Sequence, residues 1–241
     1  MSCNKKVQPK YKRVLLKLSG EALASGQDGI LNFDFIQEVA AQIKKCIDAG
    51  VEVAVIVGAG NIWRGRQGTG MDQCRADHMG MLATVVNSLA LEDVFLREGM
   101  KARVMTSVEM KAFADTYTSR DAIKALEAGE VVIFGGGLGI PFFSTDTAAA
   151  LRAAEIKADC ILFSKNIDAI YSADPKKDPD AVRYTDLTYA EILDKNLRAL
   201  DLSSITICMD NNISGYAFGL ADPENIYRVV MGESVGTAIH N

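Results

Sequence analysis

The chain has 241 residues, 49% of them hydrophobic, with five prolines and a formal net charge of −5 at pH 7. That length fits one large domain or two small ones and can bury a substantial core. Charges of both signs are scattered throughout, which argues against long DNA or RNA as principal ligand, because tracking phosphates needs a concentrated basic face; a small anionic ligand needs only a few placed cations.

The chain opens on "MSCNKKVQPKYKR", polar and basic, without the apolar segment of a secretory signal; it reads as a frayed tail. "RVLLKL" at 13–18 is expected to be a strand, with Val14, Leu15 and Leu16 covered on both faces, followed by a glycine-containing loop at 25–29. A helix starts near Asn32 or Asp34, carries Ile36, Val39, Ala40, Ile43 and Ile47 on one face, and stops at Gly50. "VEVAVIV" at 51–57 is a β-branched strand ending in "GAGN"; a long helix covers roughly 77–98 and closes at Gly99; "ARVMT" is a short strand. Residues 119–128 read as helix, "EVVIF" at 130–134 as a strand running into "GGGLG", "TDTAAALRAAEIKA" as helix and "DCILF" at 159–163 as strand. "SKNIDAIYSADPKKDPDAVRYTD" is polar, contains two Asp-Pro steps and reads as a loop excursion. Helices at 188–198 and near 203–210 and short segments complete the chain.

Strand, loop and helix alternating this often predict a mostly parallel sheet with helices on both faces, a three-layer αβα sandwich. The whole of 1–241 is expected to be a single domain, with an N-terminal lobe over about 11–158 and a C-terminal lobe over about 159–241. No run of about eighteen apolar residues appears, so no membrane span is expected. The five cysteines, Cys3, Cys46, Cys74, Cys160 and Cys208, lie far apart without C-x-x-C spacing. This speaks against a disulfide framework or zinc site and for a reducing cytosol, with Cys160 a small core residue. His78, one of two histidines, has no second His or Cys at metal-ligand spacing.

Three strands end in glycine-rich loops: "KLSGEA", "GAGNIWRGR" and "GGGLGIPFFSTD". In an open α/β sheet, ligands sit beyond the C-terminal strand ends. Glycine there lets backbone N–H groups approach phosphate. Neither G-x-x-x-x-G-K-[ST] nor G-x-G-x-x-G with its acidic ribose residue is present. Lys17 instead precedes its Ser-Gly turn. It either snorkels to the surface or neutralises a phosphoryl group in transfer, a reaction that asks mainly for position and positive charge. Arg64 and Arg66 form either a solvated basic turn or a phosphate clamp. One of Ser144, Thr145 and Asp146 is expected to be the N-cap of the following helix, and Asp146 could also pair with Lys17. Asp77 either caps its helix or accepts hydrogen bonds from ribose hydroxyls. Phe142 and Phe143 read as core or lid packing rather than base stackers, and Met71, Met79 and Met81 as packing.

Taken in order, "YKRVLLKLSGEAL", "GNIWRG", "DHMGMLATVVNSLALEDV", "PFFSTDTAAALRAAEI", "DAIYSADPKKDP", "LTYAEIL" and "RVVMGESVGTAI" resemble the bacterial uridylate (UMP) kinases, within the amino acid kinase family. The resemblance runs through nearly the whole chain. It implies an amino acid kinase-like fold and transfer of the ATP γ-phosphate to UMP in pyrimidine nucleotide biosynthesis. By position, Lys17, Leu18, Ser19 and Gly20 would hold the transferring phosphate, with Gly60 and Arg64 on the ATP side and Asn166, Tyr171 and Asp174 lining the adenine nucleotide site. Ala59, Asp77 and the loop Leu138, Gly139, Ile140, Pro141, Phe142, Phe143, Ser144 and Thr145 would contact UMP. Lys17, Asp146 and Arg64 would be catalytic, Asp146 orienting the lysine. The resemblance further implies Mg2+ carried with ATP, a cytoplasmic homohexamer activated by GTP and inhibited by UTP, and no need for membrane or nucleic acid. Ala59 stands where the family usually has Gly, Leu138 and Ile140 where it commonly shows Thr and Asn, and Ala169 where Gly is usual. A same-fold kinase for a carboxylate, carbamate or phosphonate, and a nucleotide sensor without catalysis, are the alternatives.

Overall fold

The computed structural model describes residues 8–24, 29–64, 70–197 and 199–241. The start of the tail with Cys3, most of the expected loop at 25–29 and Arg66 lie outside the described residues. The elements are β1 (Arg13–Leu18), α1 (Gly20–Leu23), α2 (Phe33–Asp48), β2 (Glu52–Val57), α3 (Gln73–Arg97), β3 (Ala102–Thr106), β4 (Asp115–Thr116), α4 (Ser119–Glu127), β5 (Val131–Gly135), α5 (Thr145–Glu155) and β6 (Cys160–Lys165). Then follow β7 (Ile170–Tyr171), β8 (Arg183–Tyr184), β9 (Asp186–Thr188), α6 (Tyr189–Asp194), α7 (Leu202–Asp210), β10 (Ser214–Gly219), α8 (Asn225–Val230) and β11 (Thr237–His240).

Nine strands form one sheet in the order β4-β3-β5-β2-β1-β6-β10-β11-β9, while β7 and β8 make a separate antiparallel ribbon. Every pairing in the large sheet is parallel except β10 with β11. Strand alternation divides the interior into two cores. Val14, Leu16 and Leu18 of β1 pack with Val53, Val55 and Val57 of β2 against α2, α3 and α8. Leu15, Ala54, Ile56 and Ile161 point the other way, against α4, α5, α6 and α7. Each fully buried Leu or Ile contributes about 1.5–3 kcal/mol, so both faces hold the sheet strongly. The result is the expected three-layer αβα sandwich.

Several boundaries differ from expectation for local reasons. α3 begins at Gln73, capped by Asp72, whose side chain accepts from Arg75 N at 3.1 Å; Asp77 therefore lies inside the helix and is not its cap. α5 is capped by Ser144, which accepts from Thr147 N, and stops at Glu155 just before Lys157, which takes a positive φ. α6 ends at Asp194, well short of 198. Phe142, Phe143, Met71 and Met79 are exposed rather than packed. Cys160 is fully buried, as expected, and Cys46, Cys74, Cys160 and Cys208 are free thiols. α3 is long and apolar enough to cross a membrane by length and composition. It nonetheless buries Leu91, Val94 and Phe95 in the first core.

Candidate active site

Alternation along β1 explains the depth of Lys17. Leu16 and Leu18 fill the α2/α3 side, so Leu15 and Lys17 face α5, with Lys17 one residue from the strand's end. There α5 begins, and Asp146 in its first turn brings Oδ1 to 2.9 Å from Lys17 Nζ. The neighbouring strand β6 repeats the pattern: Ile161 and Phe163 are buried on the α5 side, and Lys165 follows them. Its Nζ lies 3.5 Å from Asp146 Oδ2 and donates to the Ala199 carbonyl at 2.8 Å. One carboxylate thus stands between two ammonium groups at the C-terminal ends of adjacent parallel strands. Its place at a helix N-terminus favours negative charge as well. Burial opposes ionisation of Asp146, but the two lysines outweigh it and hold the carboxyl below its ordinary range. Lys165 is pushed below the usual lysine range, by burial first and by repulsion from Lys17, with Asp146 opposing.

The loops after β1 and β2 close over this point. Ser19 is the N-cap of α1, and Leu18 is fully buried, so Leu18 presents only backbone to a ligand. A Cβ on Gly20 would fall 2.6 Å from both Gly58 O and Gly60 N. The two turns can meet only because that atom is missing. Asn87, buried on α3, donates to Gly58 O at 2.8 Å and exchanges hydrogen bonds with Asn61. It fixes the second loop from behind.

Besides a cavity of about 650 Å³ lined by Asp146, Lys165, Leu200 and Ile205, two cavities flank the lysine pair. The first, about 280 Å³, is lined by Ala59, Gly60, Trp63 and Arg64 after β2, by Asp77 and Met81 on α3, and by Leu138, Ile140, Phe143, Ser144 and Thr145 after β5. Asp77 joins two of its walls: Oδ2 accepts from Phe142 N at 2.8 Å, while Oδ1 accepts from Gln73 Nε2. Gly139 does not line this cleft but rests on Ser107, Pro141 does not line it either, and the Phe142 side chain points outward at a backbone φ of 72°.

The second cavity, about 570 Å³, lies on the other side of Lys165 and is walled by Ile170, Tyr171 and Asp174. Thr237 anchors both strands of the β7–β8 ribbon that forms this wall, accepting from Ile170 N at 2.9 Å and donating to Tyr184 O at 2.6 Å. Asp168 accepts from Tyr171 OH at 2.9 Å and from Arg183 Nε at 2.8 Å. Asn166 does not line this cavity; it donates to Glu21 at 3.2 Å, and the other oxygen of that carboxylate pairs with Arg64. Thr145 borders the first cavity and Lys165 the second, and Asp146 stands between them.

The model of the amino acid kinase family matches residues 12–218. The chain belongs to the amino acid kinase family. Within it, the UMP kinase of Bacillus anthracis is 37% identical and superposes with a TM-score of 0.92, over 95% of this chain and 96% of that one. The UMP kinase of Ureaplasma parvum is 34% identical, with a TM-score of 0.91 over 95% and 99%. The uridylate kinase of Archaeoglobus fulgidus is 29% identical, with a TM-score of 0.72 over 94% and 99%.

Three polar residues of this family member escape a reading of its sequence. Lys165 opens a polar stretch and looks like the start of a loop; the signal that finds it is the alternation Ile161, Phe163, Lys165, matched to Leu15 and Lys17 on β1. Glu21 and Asn87 carry no local signal, because their partners are brought in from elements far along the chain.

Proposed function

We propose that this chain transfers the γ-phosphate of ATP to UMP, giving UDP and ADP. The observation that carries the reading is the Lys17–Asp146–Lys165 row between two cavities, in a chain more than a third identical, along nearly its whole length, to a UMP kinase. The cleft bordered by Ala59, Asp77 and the segment 138–145 is the acceptor side, and the cavity of Tyr171 and Asp174 takes the adenine nucleotide. Gly60 and Arg64, expected on the ATP side, line the acceptor cleft instead.

The chemistry asks for position and charge. A phosphate oxygen of UMP attacks the γ-phosphorus, the bond from that phosphorus to the bridging oxygen of ADP breaks, and ADP leaves. A phosphate monoester has its second pKa near 6, so the nucleophile needs no general base at neutral pH. Asp146, held ionised by two cations, is a poor proton acceptor. Its work is to fix the ammonium groups of Lys17 and Lys165 where negative charge passes from one nucleotide to the other. Backbone N–H groups of the Ser19–Gly20 turn and of Ala59 and Gly60 add donors that need no reorganisation, while Gly58 N is spent on the Leu18 carbonyl. Asp146 and Glu21 are already engaged by cations, so Mg2+ would be carried by ATP rather than by these carboxylates and would supply charge neutralisation there. Assembly with further copies of the chain, as far as a hexamer, is part of this reading: Met79, Leu82, Val86 and Leu96 expose an apolar face along α3. So are a cytoplasmic setting, activation by GTP and inhibition by UTP.

The test is ADP release from Mg·ATP with UMP, CMP, carbamate or no acceptor, beside Lys17→Ala. Turnover with UMP that disappears in the variant supports the reading. Equal rates with CMP would keep the kinase and show that Leu138 and Ile140 leave base selection loose. UMP binding without ADP release would reject catalysis and leave a nucleotide sensor.

A further inference from the structure

Arg152 is 5% exposed on α5, with its guanidinium under the glycine loop rather than in solvent. A buried guanidinium is retained only when its donors are met. Nη1 pairs with Glu155 at 2.5 Å, the ring of Tyr117 lies 3.9 Å away, and Nη2 donates to Ser107 Oγ at 3.0 Å. Glu155 and Tyr117 are themselves joined at 2.6 Å.

The Ser107 contact has a directional consequence. A serine hydroxyl carries one hydrogen. With Arg152 donating to its oxygen, that hydrogen is committed to the Gly137 carbonyl, 2.5 Å away. Ser107 also props the loop sterically: a Cβ on Gly139 would sit 3.1 Å from Ser107 Cβ, and Gly139 holds a φ of 75°. Gly137 and Gly139 flank Leu138, which lines the 280 Å³ cleft. Gly136 N, at the near end of the loop, is held by Thr84 Oγ1 at 2.9 Å.

We infer that Arg152, acting through Ser107, is a positioning residue that sets the acceptor wall of the cleft. The inference rests on the reading of 138–145 as the acceptor side. α5 then does two tasks with one rigid rod. Asp146 in its first turn places Lys17, and Arg152 less than two turns later places the loop that the acceptor lies against. Both distances are referred to the same helix, so acceptor and lysine are aligned with each other rather than separately with the sheet.

The experiment compares wild type, Ser107→Ala, Arg152→Lys and the double variant by KM for UMP, KM for ATP, kcat and Tm, with calorimetric titration of UMP as a readout independent of turnover. Ser107→Ala removes both side-chain hydrogen bonds of the hydroxyl, to Gly137 O and from Arg152 Nη2, but keeps the Cβ that props Gly139, and is the gentler variant. It is expected to raise both KM and Kd for UMP about tenfold, with KM for ATP within twofold. Arg152→Lys should do the same, and the double variant should be little worse than either single one, because both act on one chain of contacts. A folded Ser107→Ala protein whose KM for UMP stays within twofold overturns the inference. So does a parallel rise in both KM values, which would mark general loosening. Wild-type turnover with UMP tests the proposed activity separately, so the two failures are distinguishable.

Discussion

Lys17 Nζ stands 2.9 Å from Asp146 Oδ1, with the two side chains 14% and 13% exposed. Breaking a buried pair by removing one partner costs roughly 3–5 kcal/mol when the other charge is stranded. The two partners are not equivalent here. Removing Lys17 leaves Asp146 paired with Lys165, whereas removing Asp146 leaves two ammonium groups facing each other. Asp146→Asn is therefore expected to lower Tm more than Lys17→Met, although both should lower kcat by about 10²-fold or more. Thermal melts beside steady-state rates check this. An Asp146→Asn protein as stable as wild type would mean the lysines are not held by that carboxylate.

Lys165 separates activity from stability on the alkaline side. Its folded pKa lies below its unfolded one, so between those two values the unfolded chain binds more protons and the fold gains stability as pH rises. Over the same window the neutral amine no longer opposes phosphate charge, and turnover falls. The expected result is a kcat that declines below the ordinary lysine range while Tm does not fall with it. Lys165→Arg keeps its charge there and should flatten the decline. An alkaline limb unchanged in Lys165→Arg would assign it to another group.

What could be read from sequence follows the length and polarity of each segment. β1, β2 and β5 are runs of Val, Ile and Leu with glycine stops, and their boundaries fall within a residue of expectation. Two-residue strands such as β4, β7 and β8 are too short to show periodicity, so the ribbon walling the second cavity read as loop. The expected start of α3 falls four residues late because its first turn, "QCRAD", has no apolar rhythm. The pairing of Lys17 with Asp146 was legible, since both sit where a strand and a helix meet the same crevice. Lys165 was not, because its role depends on β6 lying beside β1, which only the sheet order reveals.

Gly20 offers a test of the joined turns. Any side chain there meets Gly58 O and Gly60 N, both backbone atoms that cannot swing aside. Gly20→Ala must part the two loops, and a shift of about 1 Å in such a site can cost on the order of 10²-fold in rate. Gly29, where an added Cβ meets nothing within 4 Å, is the control, and Gly29→Ala should leave kcat unchanged. Equal rates for the two variants would show that the contact between the turns does not matter to catalysis.

Trp63 is the only tryptophan of the chain, and it borders the acceptor cleft with its Nε1–H donated to Ala76 O at 2.8 Å. The indole is thereby held on α3, and a Cβ added at Gly80 would sit 3.8 Å from its Cδ1. A nucleotide seated between Leu138 and Ala59 would exclude water from the ring, while one in the cavity of Tyr171 and Asp174 would not reach it. Intrinsic fluorescence should then change saturably with UMP and stay flat with ATP alone. Trp63→Phe should abolish the signal and keep most of the turnover, because the ring bounds the cleft without pointing a polar group at the transferring phosphate. A signal that follows ATP instead would exchange the assignments of the two cavities, and with them the side of Lys17 from which the acceptor approaches.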